Sequence, residues 1–108
     1  MKGRIKYKKI KRSTYNFNHK LYTFLRNNPE NIIIKKLYGN TCGLYDHATE
    51  EIIIDYRKDI IPTLVHEFIH HLHNDWKESK VIKKEIEIMI AMSPHQCRNI
   101  LRILGDTV

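Results

Sequence analysis

The chain has 108 residues, 42% of them hydrophobic and 29% charged, with a formal net charge of +7. That length suits one core and a single domain over 1–108, and the balance of apolar and charged residues excludes a disordered tail. No apolar run nears the ~20 residues of a membrane span, and the start, Met1-Lys2-Gly3-Arg4-Ile5-Lys6, has no apolar stretch behind its charges to read as a secretory signal.

Residues 1–12 form a basic arm: Lys2, Arg4, Lys6, Lys8, Lys9, Lys11 and Arg12 come without an intervening acid. Such an arm attracts nucleic acid or an acidic partner by long-range electrostatics, or serves as a solvated terminus. The alternation Ile5-Lys6-Tyr7-Lys8 also suits a short edge strand. A first helix is expected from Asn18 to Asn27, where Leu21, Tyr22, Phe24 and Leu25 recur at helical spacing and Asn27-Asn28-Pro29 stops it. Asn31 to Tyr38 is rich in isoleucine and reads as a strand ending at Gly39-Asn40. Gly43–Tyr45 and Glu51–Tyr56 read as a hairpin around Asp46-His47-Ala48-Thr49. A helix from Asp59 to Asn74 follows, with Asp59 at its N-cap and Pro62 in its first turn.

A further helix is expected from Ser79 to Met92. Ser93-Pro94-His95-Gln96 then combines a Ser cap, Pro at the first helical position and Gln three residues after the cap, which starts a last helix ending near Leu104-Gly105. The expected class is α+β, with an N-terminal helix, a small antiparallel sheet and three further helices. Cys42 and Cys97 lie outside any CxxC spacing and are expected as reduced thiols of a cytoplasmic protein.

The sharpest motif is His66-Glu67-Phe68-Ile69-His70, an HExxH pattern. Positions i and i+4 share a helix face about 6 Å apart, so two neutral imidazoles can reach one Zn²⁺. Glu67 falls beside that face, close enough to take a proton from metal-bound water. Ile60, Ile61, Leu64, Val65, Phe68, Ile69 and Leu72 run through the motif, which sets it on a buried helix rather than a loop.

Catalytic zinc usually takes three protein ligands and leaves one position open. His73 lies about 10 Å along the axis from His66, and His71 points to another face, so both read as helix-surface residues. On the next helix Glu85 has Val81, Ile82, Ile88 and Met89 around it, an acid within an apolar face, which is costly unless paired or bound to metal. Glu85 is therefore the expected third ligand. Glu87, beside Lys83 and Lys84, and His95 are the alternatives, and Glu78 reads as a favourable charge at the helix start.

These residues together resemble a minimal zincin metallopeptidase of the gluzincin type. Gly43-Leu44-Tyr45-Asp46 followed by Glu51-Ile52-Ile53-Ile54-Asp55 is also similar to small phage and prokaryotic peptidases near the ImmA/IrrE group. The resemblance covers about residues 32 to 104. It departs at Lys84-Glu85-Ile86-Glu87-Ile88, where larger gluzincins carry an NExxSD-like pattern. It implies a zincin-like fold and Zn²⁺ held by His66, His70 and Glu85, with Glu67 as general base and then proton donor to the leaving amine. Tyr45, Tyr56 and His95 are candidate oxyanion stabilisers, and Asp55 or another acid would orient a ligand histidine. The strand Glu51 to Asp55 would hold an extended peptide by main-chain pairing, with a narrow set of protein targets. Two other classes compete with this reading: a DNA-associated protease resembling the SprT/Spartan type, recruited by the basic arm, and a non-catalytic zinc-binding interaction module.

Overall fold

The computed structural model describes residues 12–107, so the expected arm, Arg12 apart, lies outside the described residues. Helix α1 spans Arg12–Asn27 and buries Phe17, Leu21, Phe24 and Leu25. It starts six residues before the expected Asn18, because Phe17 extends the apolar stripe one turn back from Leu21. Asn28 ends it, with its backbone N–H donating to the Phe24 carbonyl at 2.9 Å. After a 3₁₀ turn at Pro29–Asn31 come strands β1 (Ile32–Ile34), β2 (Gly43–Asp46) and β3 (Glu51–Ile54).

The sheet is mixed, with order β1-β3-β2, and this corrects the expected antiparallel arrangement. β2 and β3 form the expected hairpin, pairing Gly43 with Ile54 and Asp46 with Glu51. The Asp46 side chain closes its turn by accepting from the Ala48 and Thr49 N–H groups at 2.9 and 3.3 Å. β1, however, pairs parallel to β3, Ile32 with Ile52 and Ile34 with Ile54. Ile52 and Ile54 are fully buried, so the most deeply buried strand takes the centre. The 35–42 segment must then arch across two strand spacings, about 10 Å.

Asp55 holds that arch and shortens β1. The Lys35 N–H still donates to the Ile54 carbonyl, but the Leu37 N–H turns to the Asp55 carboxylate at 2.9 Å. The carboxylate is fully buried and also accepts from the Arg57 backbone and guanidinium at 2.7–3.0 Å, with the Lys58 ammonium at 3.3 Å. Lys58 in turn donates to the Gly39 and Thr41 carbonyls. The chain expected to continue as strand to Tyr38 is therefore drawn into a loop by side-chain chemistry that a strand pattern does not reveal.

Helix α2 (Ile60–Leu72) is the central element. Seven of its thirteen residues are buried, it packs on the sheet and on the two helices that follow it, and its Phe68 ring lies 5.4 and 5.3 Å from Phe17 and Phe24 of α1. Asp59 sits at the N-cap position but makes no side-chain cap bond. Helix α3 (Glu78–Ala91) buries Val81 and Ile88. Helix α4 (Pro94–Thr107) opens on the expected capping box: the Gln96 N–H donates to Ser93 Oγ at 3.1 Å and the Ser93 N–H to Gln96 Oε1 at 2.9 Å. It runs past Gly105, whose φ is not in the left-handed region that a C-cap glycine adopts. The described residues thus make an α+β domain of four helices and a small three-stranded mixed sheet. None of these helices is long and apolar enough to cross a membrane.

The Arg57 hydrogen bond chiefly, helped by Leu37 and Lys58 against the cost of burial, holds the Asp55 carboxyl well below the ordinary carboxylate range. Its contribution to stability is present above the unfolded pKa of about 3.9 and is lost as pH falls below it. Asp55→Asn is expected to lower the melting temperature at neutral pH. The gap from wild type should narrow as melts are repeated at increasingly acid pH, and an unchanged gap would show that the charge is not what matters.

Candidate functional site

His66 and His70 stand one turn apart on α2, ring centroids 5.0 Å apart. Their Nε2 atoms converge on one oxygen of Glu78, at 2.8 and 3.0 Å. Among the described residues this is the group of His, Cys, Asp and Glu side chains whose atoms gather tightly enough for a metal, all within 4.8 Å of one another. Ligands held tetrahedrally at zinc distances are about 3.3 Å apart, so two imidazoles and a carboxylate at these separations fit a zinc-sized cation. Glu78 is mostly exposed, which leaves one side of the group open to water.

Glu85, the expected third ligand, takes another place. Its carboxylate meets Nδ1 of His66 at 2.7 Å, the nitrogen opposite the one facing Glu78. A hydrogen bond accepted by the carboxylate there makes Nδ1–H the donor and presents Nε2 to Glu78 and His70. This orienting role had been expected of Asp55 or another acid; Asp55 is spent on the 35–42 arch, and Glu85 stands where such an acid would. The difference follows from how α3 faces its neighbour. Glu78, Val81, Glu85 and Ile88 repeat at spacings of three and four, so the face that buries Val81 and Ile88 carries both acids. Ile82, expected on the apolar face around Glu85, is 44% exposed. Glu78 was legible as the residue one heptad before Glu85, but its position in the first turn suggested only a dipole effect. Glu87 pairs with Lys84 at 3.0 Å, outside the group, and His95 is exposed on the first turn of α4.

Glu67 is buried, 8% exposed, and faces the same cleft. Burial raises its pKa to about 7; His66 opposes the shift, and the charges of Glu78 and Glu85 add to it. Burial disfavours the His66 imidazolium, yet the Glu85 hydrogen bond and the neighbouring acids outweigh it and hold that pKa above its ordinary value. Gly43 of β2 is what lets the sheet come this close. A Cβ there would collide with the Thr63 side chain and lie 3.0 Å from the Ile53 carbonyl and 3.4 Å from the Glu67 side chain.

The cleft runs along β2. One part, of about 340 Å³, is bounded by Thr41, Cys42 and Thr63 with His66, Glu67 and both acids of α3. The adjoining part, of about 230 Å³, is bounded by Leu44, Tyr45, His47 and His70. Of the three expected oxyanion stabilisers, Tyr45 lines it, whereas Tyr56 and His95 do not. The Tyr45 hydroxyl is 2.8 Å from His71 Nδ1. His71, expected on the surface, is half-buried against Phe24 and Phe68. His73 closes α2 and stacks 3.7 Å from Trp76, in the turn that leads to Glu78.

Zinc affinity, measured by competition with a chromophoric chelator, should rank the three acids of α3. Glu85→Gln should weaken binding roughly 10–100-fold, the usual effect of losing a residue that orients a ligand. Glu78→Gln should weaken it more, and Glu87→Gln should leave it near wild type. A Glu85 variant more damaged than the Glu78 variant would return Glu85 to the ligand set. Comparison of the chain with protein-family models, with curated proteins and with solved structures finds no match, so the reading of this site rests on its own geometry.

Proposed function

We propose that the chain is a zinc-dependent metallopeptidase of the zincin type, which hydrolyses peptide bonds in extended protein segments. The observation that carries the reading is the position of Glu67, a buried carboxylate facing the cleft next to a donor group of His66, His70 and Glu78. A site that bound metal only for stability would gain nothing from an acid held at that cost. His66, His70 and Glu78 would hold the ion, which when bound supplies Lewis acidity, polarising a carbonyl and acidifying water.

The remaining work falls to side chains of the chain itself. Glu67, with a pKa drawn towards neutrality by burial, accepts a proton from the attacking water and returns it to the leaving amine. Glu85 keeps His66 in the tautomer that presents Nε2 to the cleft. Tyr45, kept protonated by burial and by the nearby Glu50 and Asp46, offers a hydroxyl in the second part of the cleft to the carbonyl oxygen of a substrate. The peptide itself is assigned to β2. β3, the strand expected to hold it, is central and paired on both sides, whereas among the described residues β2 pairs only with β3. Its outer edge is a template for an extended chain.

Glu67→Gln keeps the shape of the side chain and removes the base. It should retain stoichiometric zinc and the wild-type circular dichroism spectrum while hydrolysing an unfolded protein about 10²–10⁴ times more slowly. Wild-type protein that holds zinc but cleaves no unfolded protein at any rate would overturn the peptidase reading.

A further inference from the structure

A second cleft, of about 640 Å³, opens on the other side of the 35–42 arch and is lined by Lys36, Leu37, Tyr38, Gly39, Arg57 and Lys58. Three of these are cations and none is an acid. The nearby acid, Asp55, is fully buried, and its charge is met by Arg57 and Lys58. Lys35 adds a fourth cation at the same bend, exposed like Lys36, so positive charge dominates. Arg57 and Lys58 are already fixed by bonds to Asp55 and to the Leu37, Gly39 and Thr41 carbonyls. A ligand meeting them would immobilise little that was free before.

Charge alone would suit any polyanion, and Tyr38 narrows the choice. Its ring is 98% exposed beside Gly39, which turns the chain at φ 60°. An aromatic face presented to solvent amid cations matches a ligand that alternates phosphates with flat rings, since bases stack on such faces while phosphates meet lysine and arginine. An acidic peptide or inorganic phosphate would leave the ring unused. A duplex keeps its bases stacked on each other, so only unpaired bases can lie on a side chain.

We propose that this cleft binds single-stranded nucleic acid, with Tyr38 as the stacking platform, Lys36 and the half-exposed Arg57 guanidinium as the phosphate contacts, and Lys58, its three donors turned to Asp55, Gly39 and Thr41, holding the wall. The site is distinct from the basic arm, and it stands or falls independently of peptide hydrolysis, because it shares none of the residues assigned to that chemistry.

The test uses the full chain with Lys2, Arg4, Lys6, Lys8, Lys9 and Lys11 changed to Gln, so that the arm does not mask the cleft. Fluorescence anisotropy would follow a labelled oligothymidylate, an oligouridylate and a short duplex at several salt concentrations. Either single strand should bind more tightly than the duplex. Tyr38→Ala should weaken binding about ten-fold, Tyr38→Phe should keep it, and Lys36→Gln should lower the salt slope by about one. Tyr38 and Lys36 are exposed, and unchanged thermal melts would show that the variants fold. Loss of all binding on neutralising the arm, or wild-type affinity in Tyr38→Ala, would overturn the proposal.

Discussion

His66 is held between two carboxylates of the neighbouring helix, and the rest of the site depends on that clamp. Glu78 meets one ring nitrogen at 2.8 Å and Glu85 the other at 2.7 Å. The two acids lie two turns apart on α3, about 10 Å along the axis, so both reach one ring only if α2 and α3 pack side by side in a fixed register. Val81 and Ile88, fully buried on the same face, hold that register by apolar contact. The polar contacts are thus set by packing that has no polar character, and the donor group inherits the rigidity of a helix pair. The acids around His66 favour its protonated form.

The sheet makes the complementary contribution. Gly43 brings β2 against α2 at Thr63 and Glu67, and β3 beside it buries Ile52 and Ile54. The arch from β1 to β2 then separates two clefts of different chemistry. Thr41 and Cys42 face the acid- and histidine-lined cleft, while Tyr38 and Gly39 face the basic one. Asp55 fixes the arch from below, so a single buried carboxylate shapes a wall of each.

Much of this was legible in the residues because it is local. Periodicity through Leu64, Val65, Phe68 and Ile69 set HExxH on a buried helix, and Ser93-Pro94-His95-Gln96 announced a helix start that the structure reproduces bond for bond. What could not be read depends on contacts between distant segments. The parallel pairing of Ile32 with Ile52 rests on which strand wins the centre, and alternation within a strand does not encode that. Leu37 leaves the strand because Asp55, eighteen residues on, captures its N–H. That Glu78, rather than Glu85, meets both Nε2 atoms was not readable, because helix geometry fixes only which residues share a face. Which acid meets which nitrogen depends on the register between two helices, which the packing of Val81 and Ile88 sets.

The donor group has one further consequence. His66, His70, Glu78 and Glu85 all lie within a single helical hairpin, so the loop that must close to assemble them is short and its entropic cost small. Donors this near in sequence can meet early in folding, before the sheet pairs its more distant strands. An ion captured at that stage would act as a staple on the hairpin and bias the chain towards its native helix pairing. The same compactness makes the hairpin a transplantable unit: a host that packs against Leu64, Phe68, Val81 and Ile88 would receive the two histidines and two acids whole.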